Sequence, residues 1–370
     1  MTAIDVRSTP AAVAAALRTI DANRKTFGDR YPADTTTGGR YLPRDGNVGW
    51  TTSFWPGALW LAYDLSDRAE YRQAAAGHVR SFADRIAGRH DVETHDLGFL
   101  YTLSCVVPWR RTGDPVAREA ALAAADHLLT RVLHPAGIIQ AWGDMSDPRQ
   151  RGRTIIDSLM NTPLLFWASA VTGSPHYAEV ARRHSEQLRD HILRPDNTTY
   201  HTFYWDPATG EPLRGETEQG SADESCWARG QAWGIYGFAL NHRYTGDPTF
   251  REAARRCADY FLDHLPADGV AYWDLVFTDG SGEERDSSAA AIAVCGLLEL
   301  GGERYQAAAG RILGSLIERY ANPGGSDALL LHGVYDKPKG VGVDEGNLWG
   351  DYFYLEALTR VTRPDWTNHW

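Results

Sequence analysis

The fold is decided by the stretch Gln231-Ala-Trp-Gly-Ile-Tyr-Gly-Phe-Ala-Leu240, the break Thr245-Gly-Asp-Pro-Thr-Phe250 and residues 250–265, which follow directly. The first stretch is apolar on nearly every side, which predicts a helix that is buried all round. Residues 250–265 are amphipathic, which predicts an outer helix. In the break, an aspartate that can cap a helix precedes a proline that suits the first helical position, and Ser174-Pro175 in a similar break is predicted to act in the same way. The unit is therefore predicted to be a buried helix paired with an outer one.

This unit recurs along the chain. Similar breaks occur at residues 65–71, 112–118, 172–177, 245–250 and 301–305. Stretches apolar on nearly all sides occur at residues 55–63, 97–107, 163–171, 231–240, 289–300 and 348–358. A unit that recurs at this spacing is typical of stacked or circularly arranged helical pairs.

The two ends of the chain indicate a closed ring. The last buried stretch lacks an outer partner, and the amphipathic residues 10–27 lack a buried one. If these two pair, twelve helices form an all-α (α/α)6 barrel, and residues 1–370 form a single catalytic domain. An open α-solenoid would need polar capping helices at both ends, so we favour closure. Strand signals are weak, with short hairpin-like stretches at residues 200–206 and 270–277.

Composition limits the classes of partner. The 370 residues are 43% hydrophobic and carry a net charge of −11, which suits a globular protein but argues against binding a nucleic-acid phosphate backbone. The chain starts without a basic segment followed by an apolar one, and it has no apolar run of about 18 residues. We therefore expect a cytoplasmic protein with no membrane partner, present as a monomer or weak dimer.

The functional site is expected where the inner helices begin. In a closed ring the inner helices run parallel, so their N-termini, with partial positive charge, open on one rim and favour an anion. Unusual polar and aromatic residues precede these helices in the stretches Asn47-Val-Gly-Trp50, Thr94-His-Asp96, Thr154-Ile-Ile-Asp157, Ser225-Cys-Trp-Ala-Arg229, Arg285-Asp286 and Val343-Asp-Glu345.

Two carboxylates on this rim suit glycoside hydrolysis. Asp157 has apolar neighbours, and Asp96 occupies the equivalent position one pair earlier. Either of them could instead be a helix N-cap. Two carboxyl groups that flank one site are the usual means of cleaving a glycosidic bond. Asp286 and Asp344 occupy similar positions, so position alone does not select the pair.

Arg229 lies in an otherwise apolar helix and therefore needs a partner. It could form a buried ion pair with a rim aspartate, or its guanidinium could bind a substrate carboxylate. Trp50, Trp142, Trp227 and Trp233 suit either core packing or the faces of sugar rings. Motifs for metal hydrolases, serine hydrolases and nucleotide binding are absent, so we expect neither a metal nor another cofactor.

Five stretches resemble a known family. They are His95-Asp-Leu-Gly-Phe99, Ile155-Ile-Asp-Ser-Leu-Met-Asn161, Gly210-Glu-Pro-Leu-Arg-Gly-Glu-Thr-Glu-Gln-Gly220, Ser225-Cys-Trp-Ala-Arg-Gly-Gln-Ala-Trp-Gly-Ile-Tyr-Gly-Phe238 and Gly346-Asn-Leu-Trp-Gly-Asp-Tyr352. In this order they resemble the unsaturated glucuronyl hydrolases, glycoside hydrolase family 88, from about residue 50 to residue 358. The family fold is an (α/α)6 barrel, in agreement with the helical count.

The resemblance also implies residue roles. It implies Asp157 as the general acid/base and Asp96 as the second essential carboxylate. By the same resemblance the uronate is surrounded by His201, Gln219, Arg229 and Trp233, with Trp50 and Trp142 as walls that contact sugar. Lyase-generated substrates of this family carry a C4=C5 double bond in the terminal uronate. The implied reaction protonates C4 and adds water at C5, and the hemiketal then opens and releases the neighbouring sugar.

Three other functions fit parts of the pattern. An unsaturated rhamnogalacturonyl hydrolase of the related family 105 has the same fold, but residues 225–238 favour the glucuronyl activity. A sugar epimerase would depend on paired histidines, and His201 has no histidine partner at an equivalent rim position. A non-catalytic oligosaccharide-binding toroid is disfavoured by the intact acid residues.

One departure from the family concerns sulfate. Members that prefer sulfated disaccharides carry Ser-x-x-Ser-x-Lys just before Gly-Val-Asp-Glu, whereas here Asp336-Lys-Pro-Lys-Gly-Val341 precedes Gly342-Val-Asp-Glu345. Asp336, Lys339 and Val341 therefore replace the two serines and the lysine. An ionised aspartate cannot donate to a sulfate oxygen, although Lys337 and Lys339 could compensate. We expect a preference for unsulfated substrates, such as unsaturated chondroitin or hyaluronan disaccharides or glucuronyl-glucose units.

Overall fold

The helices form two concentric layers. The structure, a computed structural model, describes residues 8–147 and 150–370. In chain order the helices of these residues are α1 (Thr9–Phe27), α2 (Phe54–Ser66), α3 (Ala69–Gly77), α4 (Val79–Ala87), α5 (Leu97–Tyr101), α6 (Val107–Thr112), α7 (Pro115–Leu129), α8 (Thr162–Thr172), α9 (Pro175–Gln187), α10 (Ala228–Thr245), α11 (Pro248–Asp263), α12 (Ser287–Leu300), α13 (Glu303–Ser315) and α14 (Leu348–Thr362).

The inner layer is a closed ring. It consists of α2, α5 with α6, α8, α10, α12 and α14, and the outer layer of α1, α3 with α4, α7, α9, α11 and α13. Helix α14 packs against α2 and so closes the inner ring, while α1 packs against both of them. The predicted (α/α)6 barrel, closed by pairing of the first helix with the last inner helix, is confirmed.

The recurring breaks form helix ends as expected from their residue types. Asp114 accepts a hydrogen bond of 2.9 Å from the N–H of Val116 at the start of α7, and Asp247 accepts one of 2.8 Å from Thr249 at the start of α11. The inner helices α6, α8 and α10 each end at a glycine in the left-handed region, such as Gly246 with φ 69°, whereas α2 ends at Asp67 in the same region. The capping prediction is wrong for Ser174, whose side chain makes no capping bond at α9.

One predicted inner helix is interrupted. Residues 97–107 are predicted as a single helix, but α5 and α6 are joined through a π-helical turn, Thr102–Val106. Pro108 follows directly in α6 and has no N–H to donate to the carbonyl of Ser104. The regular pattern of α-helical hydrogen bonds therefore cannot continue through this segment.

Short antiparallel sheets connect the helices. Their strands are β1 (Tyr31–Thr37), β2 (Arg40–Arg44), β3 (Val132–Leu133), β4 (Ile138–Ile139), β5 (Arg153–Ile155), β6 (Thr202–Trp205), β7 (Pro212–Glu216), β8 (Gly333–Asp336) and β9 (Val341–Glu345). Strands β5, β6 and β7 form a three-stranded sheet in that order, and the others form hairpins. Strand β6 lies within the predicted residues 200–206, but residues 270–277 form only isolated bridges.

The ring is filled at its far end by a tryptophan. Trp370 is 1% exposed, and its ring stacks on Phe353 of α14 with centroids 5.9 Å apart. Its indole N–H donates to Glu356, 2.9 Å away, and its ring edge meets Phe99 of α5. The far end of the ring is thus closed by the chain itself. None of the described helices combines the length and apolar character needed to cross a membrane.

Candidate active site

A pocket opens where the inner helices begin. Its cavity measures about 250 Å³. The lining residues are Trp50, His95, Asp96, Trp142, Ile155, Asp157, His201, Glu218, Gln219, Trp227, Arg229, Trp233, Tyr335 and Lys339. All eight predicted site residues are among them. Most of the lining comes from segments at or just before the start of an inner helix, where partial positive charge favours a bound anion.

A close contact between two backbones brings the carboxylates together. Asp96 directly precedes α5, and Asp157 lies in a 3₁₀ turn just before α8. Gly98 packs so tightly on Asn161 that a Cβ on this glycine would lie 2.2 Å from the Cα of Asn161. Asn161 Oδ1 also accepts a 2.7 Å hydrogen bond from the N–H of Phe99. Only glycine permits this contact, which sets the two carboxylate-bearing turns side by side.

The imidazole of His95 lies between the two carboxylates. Its Nε2 is 2.9 Å from Oδ1 of Asp157 and 3.4 Å from Oδ1 of Asp96. The hydroxyl of Thr94 donates to the other oxygen of Asp96, 2.8 Å away. The side chains of His95, Asp96 and Asp157 are 3%, 13% and 14% exposed, so the cluster is largely shielded from water.

Burial and mutual charge shift the protonation of this cluster. Burial lowers the pKa of His95, but the negative charges of Asp96 and Asp157 outweigh it, and the net shift is upward. Burial raises the pKa of Asp96; His95 opposes this rise and Asp157 adds to it, so the net shift is also upward.

The same three side chains could offer ligands to a metal ion. One ligand atom from each of His95, Asp96 and Asp157 lies within 4.8 Å of the others. The 2.9 Å separation of His95 Nε2 from Asp157 Oδ1 is a hydrogen-bond distance between the histidine and the carboxylate. The arrangement is therefore that of a histidine hydrogen-bonded to a carboxylate, with a second carboxylate beside it.

Both Nη atoms of Arg229 are engaged by the protein. Its Nη1 pairs with Asp286, 3.0 Å away, and donates to the carbonyl of Val334. Its Nη2 donates to Gln219 Oε1 at 2.9 Å and to the carbonyl of Tyr335 at 2.7 Å. The buried ion pair with a rim aspartate is thus present, and the same guanidinium lines the pocket.

His201 presents a neutral hydrogen-bond donor to the pocket. Burial and the nearby Arg229 lower the pKa of His201 to about 3. The hydroxyl of Thr202 lies 2.6 Å from its Nδ1 and the backbone N–H of Glu218 donates to the same nitrogen at 3.4 Å, which places the ring proton on Nε2. Nε2 is buried and has no hydrogen-bond partner among the described residues. Its N–H is therefore available to a ligand.

The predicted tryptophans form the walls and floor of the pocket. The indole N–H of Trp50 donates to the hydroxyl of Tyr335, 3.0 Å away, and the guanidinium of Arg153 lies 4.5 Å from the ring of Trp142. Both tryptophans are half-buried and line the pocket. Trp233 is 1% exposed and packs on Phe99, so it forms the floor.

The two further rim aspartates do not join the carboxylate pair. Asp286 is fully buried; it caps α12 by accepting from the N–H of Ser288, 3.1 Å away, and pairs with Arg229. Asp344 is exposed, pairs with His332 at 2.7 Å and does not line the pocket. Packing thus separates residues that are similar in sequence position.

Six lining residues are not among the eight predicted site residues. They are His95, Ile155, Glu218, Trp227, Tyr335 and Lys339. His95 and Glu218 are neighbours of predicted residues, and Trp227 had been left open between packing and sugar binding. Tyr335 and Lys339 belong to the β8–β9 hairpin, which tertiary structure brings over the pocket.

Paired carboxyl groups are the means by which most glycoside hydrolases cleave a sugar linkage, and tryptophan faces suit the flat faces of sugar rings. Fold and site together therefore define the class as a glycoside hydrolase on an (α/α)6 barrel.

Comparison with known proteins narrows this class. Residues 19–359 match the sequence profile of Glycosyl Hydrolase Family 88, and the chain belongs to that family. It is 45% identical over 367 residues to the Unsaturated chondroitin disaccharide hydrolase of Streptococcus pneumoniae, covering 96% of this chain and 91% of that protein. The family match favours the glucuronyl hydrolases over family 105, the epimerases and a binding toroid.

Solved structures agree with this assignment. An unsaturated glucuronyl hydrolase from Streptococcus agalactiae superposes with a TM-score of 0.95 at 45% identity, covering 98% of this chain and 94% of that one. A variant of the Streptococcus agalactiae enzyme, complexed with dGlcA-GalNAc6S, gives a TM-score of 0.87 at 43% identity, covering 98% and 93%.

Proposed function

We propose that the protein removes a 4,5-unsaturated glucuronyl residue from the non-reducing end of oligosaccharides left by polysaccharide lyases. The observation that carries the proposal is the carboxylate pair Asp96 and Asp157, joined through His95 in a pocket that also contains Arg229. A proton donor beside an anion-binding group is what an unsaturated uronate needs. A related enzyme complexed with dGlcA-GalNAc6S supports the substrate class.

Asp157 is the proposed acid. No described residue forms a hydrogen bond to its Oδ2, whereas both oxygens of Asp96 are engaged, one by Thr94 and one by His95. The Oδ2 proton passes to C4, the electrons of the C4=C5 bond form the new C–H bond, and the positive charge at C5 is shared with the ring oxygen. The resulting carboxylate then takes a proton from the water that adds to C5. The hemiketal opens, and the neighbouring sugar leaves.

The other pocket residues bind and orient the uronate. Oε1 of Gln219 accepts a hydrogen bond from Arg229, so the amide N–H groups of Gln219 are left for the substrate carboxylate. The positive charge of Arg229 and the Nε2–H of His201 favour the same anion. Trp50 and Trp142 hold the sugar rings between their faces.

The first prediction tests the reaction itself. Incubation with an unsaturated chondroitin disaccharide should remove the ultraviolet absorbance of the double bond and release the amino sugar in equal amount. The matched control is the saturated disaccharide with the same linkage, which should stay intact because it has no enol ether to protonate. Cleavage of both disaccharides at similar rates would show an ordinary glycosidase and overturn the proposal.

The rim beside the pocket disfavours a sulfate group. Lys339 lines the pocket, but its Nζ is 2.9 Å from Asp336 and 3.8 Å from Glu218. The Nζ of Lys337 bonds Glu284 and lies 3.8 Å from Glu283. Each ammonium group thus faces two carboxylates, so the net charge around it is negative and repels an anion.

The second prediction concerns sulfation. We expect kcat/KM for the unsulfated chondroitin disaccharide to exceed that for the 6-sulfated one by about tenfold, a difference of about 1.4 kcal/mol. The ratio should shrink as salt is raised, because salt screens exposed charges. A clear preference for the sulfated disaccharide would contradict this expectation. Since a relative is complexed with a 6-sulfated disaccharide, the expectation depends on this chain's own rim residues.

A further inference from the structure

The ring of His95 makes all its polar contacts with the two carboxylates of the pocket. The residue is 2% exposed and directly precedes Asp96. Its Nε2 is 2.9 Å from Asp157 Oδ1 and 3.4 Å from Asp96 Oδ1, while its Nδ1 is buried and has no hydrogen-bond partner among the described residues. A histidine held only for its packing would not need this one-sided arrangement.

The charges around His95 are dominated by the same two groups. Asp96 and Asp157 raise the pKa of His95 against the effect of burial, and Arg131 opposes them from the start of β3. The nearby histidines are neutral, because burial lowers the pKa of both His184 and His201 to about 3. Among these histidines, only His95 has its pKa raised by the carboxylate pair, which it faces at close range.

The geometry also distinguishes the two oxygens of Asp157. Oδ1 is taken by Nε2 of His95, and a hydrogen bond to Oδ2 is absent among residues 8–147 and 150–370. A carboxylic acid whose one oxygen accepts a strong hydrogen bond holds its proton on the other oxygen. The side of Asp157 that carries its acidic proton is thus set by its neighbour.

We propose that His95 is a positioning residue, whose Nε2–H holds Oδ1 of Asp157 so that Oδ2 presents the proton to C4 of the substrate. This inference rests on the proposed function. The proton on Nε2 is not transferred in the reaction; it stays on His95 while Asp157 gives one proton to C4 and regains one from the attacking water. His95 therefore acts through orientation and charge, and it touches neither reacting carbon.

Two variants of His95 distinguish the effect of its N–H donor from the effect of its charge. His95→Gln places a neutral N–H near the position of Nε2, and His95→Phe keeps a flat ring without any donor. We expect His95→Phe to lower kcat by about 10²-fold with little change in KM, since the acid is present but misaligned. His95→Gln should keep kcat within about tenfold of wild type at its own optimum pH.

The pH dependence of kcat/KM distinguishes a positioning role from a purely structural one, because a purely structural role of His95 would leave it unchanged. Loss of the imidazolium favours the protonated form of the neighbouring carboxyl groups. The alkaline limb of kcat/KM should therefore shift to higher pH in His95→Gln, by about one unit or more. The matched control is His78→Gln, a buried histidine that is 4% exposed, packs on Tyr31 and does not line the pocket. It should change thermal stability without moving the profile.

The results that would overturn the positioning role of His95 differ from the results that would overturn the proposed function. If Asp157→Asn is inactive while His95→Phe keeps kcat within about threefold of wild type, the positioning role is overturned and the function stands. An unshifted alkaline limb in His95→Gln also overturns it. If Asp157→Asn remains active, the proposed function itself fails.

Discussion

Asp157→Asn should lower kcat on an unsaturated disaccharide by about 10²- to 10⁴-fold, the range that general acid–base catalysis supplies. The amide matches the carboxyl group in shape and can keep its contact with His95, but it has no acidic proton to give to C4. The expected melting temperature is close to that of wild type. Initial rates are measured from the loss of ultraviolet absorbance, and folding from thermal unfolding.

Two further variants serve as comparisons for Asp157→Asn. Asp96→Asn should also be severely impaired, because it removes the negative charge that faces His95 and leaves a single acceptor oxygen where Asp96 offers one to Thr94 and one to His95. Asp344→Asn is the control, since this exposed aspartate precedes an inner helix but does not line the pocket. The acid assignment fails if Asp157→Asn retains more than about a tenth of the wild-type rate.

Arg229→Lys should raise KM by about 10- to 100-fold, since a hydrogen bond to a charged group contributes about 1.5–3 kcal/mol. The guanidinium holds Asp286, Gln219 and the carbonyls of Val334 and Tyr335 at the same time. A lysine keeps the charge but has a single nitrogen, so it cannot hold all four. The amide of Gln219 then loses the orientation that turns its N–H groups toward the substrate.

The control for Arg229 lies at the other end of the ring. Arg360 pairs with the buried Glu356 at 2.9 Å and with Glu299 at 3.1 Å, away from the pocket. Arg360→Lys should lower stability without changing KM. The proposed role of Arg229 is wrong if both variants change only stability, or if wild type processes an analogue without the carboxylate equally well.

The helical ring could be predicted because residue type reports burial directly. A helix with no polar face must be buried, and a glycine followed by Asp-Pro ends one helix and starts the next. The prediction was wrong where a local detail overrode this pattern. A π-helical turn just before Pro108 interrupts the helix predicted for residues 97–107, and the side chain of Ser174 does not cap α9. The closing of the far end by Trp370 has no counterpart in the periodic pattern.

Trp50, Asp96, Asp157 and Arg229 could be predicted at the rim because they lie at or just before the starts of inner helices, and parallel helices bring their N-termini together. His201 and Gln219 were implied only by the family resemblance. Position alone left Asp286 and Asp344 equal to Asp96 and Asp157, and the family resemblance selected the pair.

The arrangement of these residues was decided by tertiary structure. The sequence by itself determined which residue types lie at the rim, because its apolar stretches mark the inner helices and the residues that precede them. Only packing placed Gly98 against Asn161, His95 between two carboxylates and the β8–β9 hairpin over the pocket. These contacts join residues far apart in the sequence, and a change of about an ångström would break a hydrogen bond. Patterns of residue type do not specify distances on that scale, whereas the close packing of a folded core does.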